Sequence, residues 1–325
     1  MTSKRKKYIL FFLIAVIVLY VVIYIIPTVT GALTSSYTVE YGVLRIMDKV
    51  DGYVIRSEQV YFSDKGGTEN RYFKEGALIR KGSTVMEITG KSPDQGQLTN
   101  YDEIRRNVKG RQRVRTSDYT AEKEGILSYY ADGYETRFSP STMEKRSYSD
   151  YRSLDGNAAV NLKRNTVAEG DPVFKVSDRS EWYIVAFVPK DHKNRYKTGN
   201  EVWVSTGGQE LKAVVKSTHT EGSRVRLILR SDYYMKGFSR KRVISCRIIT
   251  SRNSGLIIRN SSISKRNGHE GVWVRQKTGE YKFVRISVIA TDGERSVIQK
   301  SYFYDSKGNL VNTVKGYDEV LRRGR

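Results

Sequence analysis

At 325 residues the chain can form one large domain or two to three small ones, each with its own core. Its only cysteine, Cys246, excludes an intramolecular disulfide, and its net charge of +22 points to anionic partners without specifying a fold. The first element is an apolar block, Tyr8 to Ile26, uninterrupted by charge. At about 1.5 Å rise per residue a helix of this length approaches the ~30 Å hydrocarbon core of a bilayer. This predicts a transmembrane anchor within residues 1–27, with Tyr8, Phe11, Phe12, Leu19 and Ile26 in the span and Pro27 at its end. A cleaved signal peptide has a shorter apolar region and small residues at its cleavage site, whereas Ile25-Ile26-Pro27 is bulky. Lys4, Arg5, Lys6 and Lys7 precede the block and favour a cytoplasmic N-terminus. The expectation is a single-pass cell-membrane protein with its C-terminal domains outside the cytoplasm. In that location nucleic acid is set aside, and anionic lipid or wall polymer becomes the partner suited to the charge.

Residues 28–37 read as a short polar linker. From Tyr37 the dominant period is two: short Val-, Ile-, Tyr- and Trp-rich runs alternate with Gly, Asp, Asn and Ser clusters. Tyr53 to Arg56, Thr84 to Ile88, Trp182 to Val188, Glu201 to Ser205, Val225 to Leu229, Val243 to Ile249, Gly271 to Arg275 and Tyr281 to Val288 are predicted strands. A mainly β architecture follows. Two stretches interrupt it. Residues 91–119 are polar and basic, with Arg105, Arg106, Lys109, Arg111, Arg113 and Arg115 as candidate contacts for an anionic partner. They read as an insertion whose removal leaves the fold intact. Phe138 to Leu154 reads as a surface loop or short helix.

The residues offer no convergent acid, base or metal set. His192, His219 and His269 lie in separate polar turns, and no Walker, dinucleotide or G-x-S-x-G pattern is present. Cys246 sits in the apolar alternation VISCRII, which predicts a buried, inert thiol. No catalytic residue, cofactor or metal is expected, and the chain is not read as an enzyme.

A weak internal repeat organises the first half. One copy opens at Gly52-Tyr53-Val54 and continues, after an extra segment Val60 to Phe73, with EGALIRKGSTVMEI (Glu75 to Ile88). The other opens at Gly125-Ile126-Leu127-Ser128 and continues with VAEGDPVFKV (Val167 to Val176). Gly52, Gly76, Gly82, Gly125 and Gly170 are expected at fold-defining turns, because glycine takes positive φ without a Cβ penalty.

These paired halves resemble the biotinyl-lipoyl-like domain of HlyD-type membrane fusion proteins, the periplasmic adaptor subunits of bacterial efflux and secretion systems. Trp182 to Ala186 with Tyr196 to Val202 resembles the start of that family's β-barrel. Ile257 to Ile263, Gly271 to Val274, Phe283 to Ile286 and Lys315 to Val320 resemble its membrane-proximal region. The resemblance implies a split lipoyl-like barrel-sandwich hybrid over 38–179, with the basic insertion inside it. A β-barrel over 180–250 and a membrane-proximal-like β domain over 251–325 follow. It also implies a non-catalytic adaptor that bridges an inner-membrane transporter (ABC-type or another permease) to the extracytoplasmic space and forms homo-oligomers. The family's long α-helical hairpin is missing, since Gly90 to Lys123 has no sustained heptads. That departure keeps open a second reading, an envelope scaffold tied to division or wall assembly. Lys49 precedes the first half instead of occupying the hairpin between halves, which argues against lipoyl-type modification.

Overall fold

The alternating pattern from Tyr37 onward folds as strands. The computed structural model describes residues 3–25, 35–90 and 101–324, with backbone alone at 3–10 and 24–25. The chain divides into two compact units, one formed by Met1–Ile46 with Ser251–Arg325 and the other by Met47–Thr250. The apolar N-terminal block forms an α-helix Ser3–Tyr20 continued by a π-helical turn Val21–Ile25. Among the described residues no helix is long and apolar enough to cross a membrane. Ile26 and Pro27 lie outside the described residues.

In the second unit, a barrel and a sandwich share one chain path. The barrel is a closed six-stranded ring. Its strands are Glu201–Thr206, Gln209–Glu221, Arg224–Ser231, Trp182–Pro189, the end of Glu40–Ile55 and the start of Val243–Arg259. The ring closes where Trp203, Val204 and Ser205 pair with Ile249, Ile248 and Arg247. Period-two alternation sends Ile184, Ala186 and Val188 inward with Val204, Leu227 and Cys246. Tyr183 and Val185 point outward, yet they too are buried, under Phe138, Met143 and Tyr151. The stretch Phe138 to Leu154 is thus a cover over the barrel and not a free surface loop. A five-residue helix, Tyr148–Arg152, holds it, with a capping box in which Ser147 and Asp150 satisfy each other's backbone N–H groups.

The sandwich packs two sheets. One has the order Leu78–Ile79, Gly125–Ser128, Pro172–Ser177, Glu58–Ser63, Arg113–Thr116, and the other Thr166–Val167, Gly67–Arg71, Met86–Thr89. Its core includes Tyr61, Val85, Met86, Ile88, Leu127, Phe174 and Val176, with Tyr61 stacked on Phe174 at 4.3 Å. The two halves interlock through backbone bonds: Gly76 N–H donates to Leu127 O (2.9 Å), Leu127 N–H to Ala77 O (2.9 Å) and Gly82 N–H to Ala121 O (2.7 Å).

The strand containing Gly52 belongs to the barrel, where Tyr53, Val54 and Ile55 pair with Val185, Ile184 and Tyr183. The first sandwich strand is Glu58–Ser63, so Val60 to Phe73 is sandwich and not an extra segment. Gly76, Gly82 and Gly170 take φ of +79°, +81° and +79° in turns. Gly52 and Gly125 lie within strands and serve another purpose. A Cβ on Gly125 would stand 2.4 Å from Ser177 O, and one on Gly52 would stand 2.9 Å from Ile184 Cγ2. The domain boundary near residue 38 also moves, because Tyr37 and Val39 pack in the core of the last domain. Periodicity finds a strand but not the partner it joins.

The basic stretch is not a dispensable insertion. Arg113–Thr116 is an edge strand parallel to Glu58–Ser63, pairing Val114 with Tyr61. The helix Asp102–Asn107 lays Ile104, together with Val108, on the outer face of the sandwich against Val60, Phe62 and Leu162. Removing 91–119 therefore opens both faces of the sheet.

In the first unit, Ser36–Thr38, Glu319–Leu321, His269–Arg275 and Ser264–Arg266 form a sheet, with Tyr281–Arg285 also pairing with His269–Arg275. Leu256 to Arg259 pairs with Ile298 to Arg295. Val39, Ile258, Val272, Ile298, Val314 and Val320 form the core.

Two substitutions test this packing by urea unfolding. Ile104→Ala removes a side chain that is 1% exposed and is expected to cost about 2–4 kcal/mol. Gly125→Ala forces its Cβ into the Ser177 carbonyl and is expected to cost at least about 2 kcal/mol. Wild-type stability in either variant would contradict the register described.

Candidate functional site

A buried cluster of charged side chains lies where sandwich and barrel meet. Glu58 opens the first sandwich strand, with Arg56 just before it, across Ser57, in the connection from the barrel. Both are fully buried. Arg56 Nε donates to Glu58 Oε1 at 2.9 Å, Lys175 Nζ reaches the same oxygen at 2.9 Å, and Arg242 Nη2 donates to Glu58 Oε2 at 2.6 Å. Arg242, just before its barrel strand, also grips Asp132 through Nε and Nη2, both at 2.9 Å. Lys175 Nζ makes a second contact, with Glu135 Oε1 at 3.3 Å. Arg56 further donates to the carbonyls of Lys241 (3.0 Å) and Phe238. Three cations and three carboxyl groups are thereby enclosed where the strands of two domains begin and end.

Burial alone would raise a carboxyl pKa, but Arg242, Arg56 and Lys175 hold Glu58 well below the usual range. Arg242 and Lys175 likewise overcome burial at Asp132 and bring it to about 2. Glu135 goes the other way. Burial, then the neighbouring Asp132 charge, raise it to about 7, and its Oε2 is buried without a hydrogen-bond partner. Sequence reading missed these six residues. The available signal was charge inside apolar strand runs, as in Val173-Phe174-Lys175-Val176.

A groove of about 800 Å³ opens beside this junction, lined by Trp182, Tyr233, Tyr234 and Phe238 and by charges of both signs, among them Lys81, Glu122, Asp178 and Arg179. Trp182 is fixed there by its Nε1–H, which donates to Tyr233 O at 3.0 Å. His192 differs from the exposed turn histidine expected. Its Nδ1 lies 2.6 Å from Asp48 Oδ1, and the Tyr196 hydroxyl donates to Asp48 Oδ2 at 2.5 Å. Burial followed by the Asp48 contact raises the Tyr196 pKa, so this group acts as a fixed donor. Burial pushes the Cys246 thiol up to about 12, leaving it without thiolate character.

The six basic candidates separate into two sets. Arg105 bonds Asp102 (3.0 Å), Asp171 and the Gly170 carbonyl (3.3 Å). Arg113 lies 4.0 Å above the Phe62 ring and donates to Arg105 O at 2.9 Å, while Arg115 pairs with Glu169 at 2.9 Å. These three hold the edge strand and helix in place. Arg106, Lys109 and Arg111 are exposed and have no acidic partner among the described residues. Of the predicted anchor residues, Phe11, Phe12 and Leu19 have exposed side chains; the side chains of Lys4, Arg5, Lys6, Lys7 and Tyr8 lie outside the description.

The junction yields two expectations. Glu58→Gln leaves three buried cations short of an anion and is expected to cost about 3–5 kcal/mol in urea unfolding. Glu135 has its folded pKa raised, so its contribution is full below the unfolded value of 4.5 and is lost as pH rises through about 7. Wild type is therefore expected to lose up to roughly 3 kcal/mol between those pH values relative to Glu135→Gln. Parallel pH profiles of melting temperature for the two proteins would remove Glu135 from this role.

A family model described as RND related, barrel-sandwich hybrid domain, matches residues 58–178. A second, RND related, beta-barrel domain, matches residues 182–252. No curated protein matches the chain. Among solved structures the chain is similar to MacA from Actinobacillus actinomycetemcomitans, at 11% identity, covering 89% of this chain and 99% of that chain, with a TM-score of 0.39. A putative efflux transporter from Bacteroides eggerthii is similar at 13% identity, covering 80% of this chain and 87% of that chain, with a TM-score of 0.32. The membrane fusion protein Spr0693 from Streptococcus pneumoniae is similar at 9% identity, covering 64% of this chain and 98% of that chain, with a TM-score of 0.29. At such scores these likenesses carry no weight of their own, and the assignment rests on the family models. Because the two models lie end to end and together span more than half of the sequence, the chain belongs to the RND-related family that joins a barrel-sandwich hybrid domain to a beta-barrel domain.

Proposed function

We propose that this adaptor is anchored in the cell membrane by its N-terminal helix and links an inner-membrane transporter to the extracytoplasmic space. The observation that carries the reading is the consecutive pair of family domains, locked to one another by the ion cluster around Glu58. A buried, directional junction between two β domains suits a part that transmits position and binds partners. The uncharged run Tyr8 to Ile26, behind four basic residues, supports the anchor and its cytoplasmic N-terminus. The transporter is an ABC-type or other permease, and the adaptor reading includes homo-oligomerisation. Arg106, Lys109 and Arg111 offer a basic edge to anionic lipid or wall polymer.

One observation favours a second reading, an envelope scaffold for division or wall assembly without a transporter. Among the described residues, the helical elements in the interval between the two sandwich halves are a short helix, Asp102–Asn107, and a 3-10 turn, Gly110–Gln112. Recovery of the full-length protein from its native membrane in mild detergent, followed by mass spectrometry, separates the two. A stoichiometric permease supports the adaptor, whereas division or wall-synthesis proteins without any permease support the scaffold. Replacing Arg106, Lys109 and Arg111 together by Glu is expected to leave thermal unfolding unchanged. Sedimentation with anionic vesicles or wall polymer is expected to weaken by at least about 1 kcal/mol per residue. Unchanged sedimentation would show the edge to be unused.

A further inference from the structure

The last domain carries a two-stranded hairpin whose two faces have different fates. Tyr302–Tyr304 pairs with Leu310–Asn312, placing Tyr304 opposite Leu310 and Phe303 opposite Val311. The Phe303 face turns toward the domain: the Arg285 guanidinium lies 5.8 Å from the Phe303 ring, and Arg285 pairs with Asp305 at 3.8 Å. Period two then puts Tyr302, Tyr304 and Leu310 on the opposite face. They are 50%, 67% and 58% exposed, with the two tyrosine rings 6.1 Å apart. A two-stranded hairpin gains little stability by itself, so a bare apolar face on one is a feature to be explained.

We infer that this face docks on the surface of an anionic bilayer. Tyrosine suits the membrane–water boundary because its ring is apolar and its hydroxyl remains hydrated. The charge is complementary: residues 251–325 contain fifteen Lys and Arg against seven Asp and Glu. Lys300 stands at the foot of the hairpin, over the exposed Tyr41 ring at 5.8 Å, and Lys307 is exposed in its turn. Chain connection supplies the remaining argument. Nine residues separate Ile25, at the end of the apolar helix, from Ser35, next to the first strand of this same domain. Ten peptide steps reach at most about 35 Å. This part of the inference rests on the anchor proposed above. Held that near a bilayer, a basic domain bearing an uncovered tyrosine face meets lipid at high local concentration.

The test uses the full chain reconstituted into phosphatidylcholine vesicles with or without phosphatidylglycerol. Nitroxide labels are placed singly by Tyr304→Cys, by Tyr20→Cys in the helix and by Tyr233→Cys in the other unit. Cys246 is 3% exposed and stays unlabelled in the folded protein. Collision of the label with dissolved oxygen, relative to a water-soluble nickel chelate, reports depth. The expected result is a high ratio at Tyr304→Cys only with phosphatidylglycerol, and a low ratio at Tyr233→Cys throughout. Replacing Lys300 and Lys307 by Glu is expected to lower the docked-to-undocked ratio at least roughly thirtyfold, since each basic residue at such a surface is worth about fivefold. A low ratio at Tyr304→Cys with a high one at Tyr20→Cys overturns the docking and keeps the anchor. The reverse keeps the docking and removes the anchor, and low ratios at both overturn both. Shielding of Tyr304→Cys only after membrane proteins are added overturns lipid in favour of a protein partner.

Discussion

Glu58 is the residue on which the arrangement of sandwich and barrel depends. Its two carboxylate oxygens receive Arg56, Lys175 and Arg242, which come from three separate points of the chain: the exit from one barrel strand, a sandwich strand and the approach to another barrel strand. A buried ion cluster is weak as a source of net stability, because desolvation offsets most of the attraction. Its strength is directional. Each guanidinium or ammonium left without its oxygen is a charge in a low-dielectric interior, so alternative placements of the two domains are penalised heavily.

Around that point the molecule buries both faces of its sheets. The outer face of Trp182–Pro189 is covered by Phe138, Met143 and Tyr151, and the outer face of the sandwich by Ile104 and Val108. Both covers are polar-looking segments that place a few apolar residues inward and leave their charges outside. The same economy explains the basic stretch. Arg105 and Arg113 hold the edge strand, and this leaves Arg106, Lys109 and Arg111 available at the surface.

In the adaptor role proposed above, these features divide the work. A junction of fixed geometry relates the sandwich to the barrel, while the surfaces proposed for interaction lie at the margins, on the basic edge and on the tyrosine face of the last domain.

Local physics settled much of this chain in advance. Val, Ile and Tyr alternation predicted strands at Trp182 to Val188 and Glu201 to Ser205, and the turn chemistry of glycine placed Gly76, Gly82 and Gly170 at positive φ. Both are properties of a residue and its near neighbours. Tertiary structure decided what depends on distant ones. Gly52 and Gly125 resemble turn glycines in sequence, but they are needed because another strand passes too close for a Cβ. Arg105 and Arg106 are adjacent and chemically identical, yet Asp171, 66 positions along the chain, claims only the first. Glu58, Asp132, Lys175 and Arg242 meet only after folding, because pairing of buried charges is a matter of three-dimensional distance.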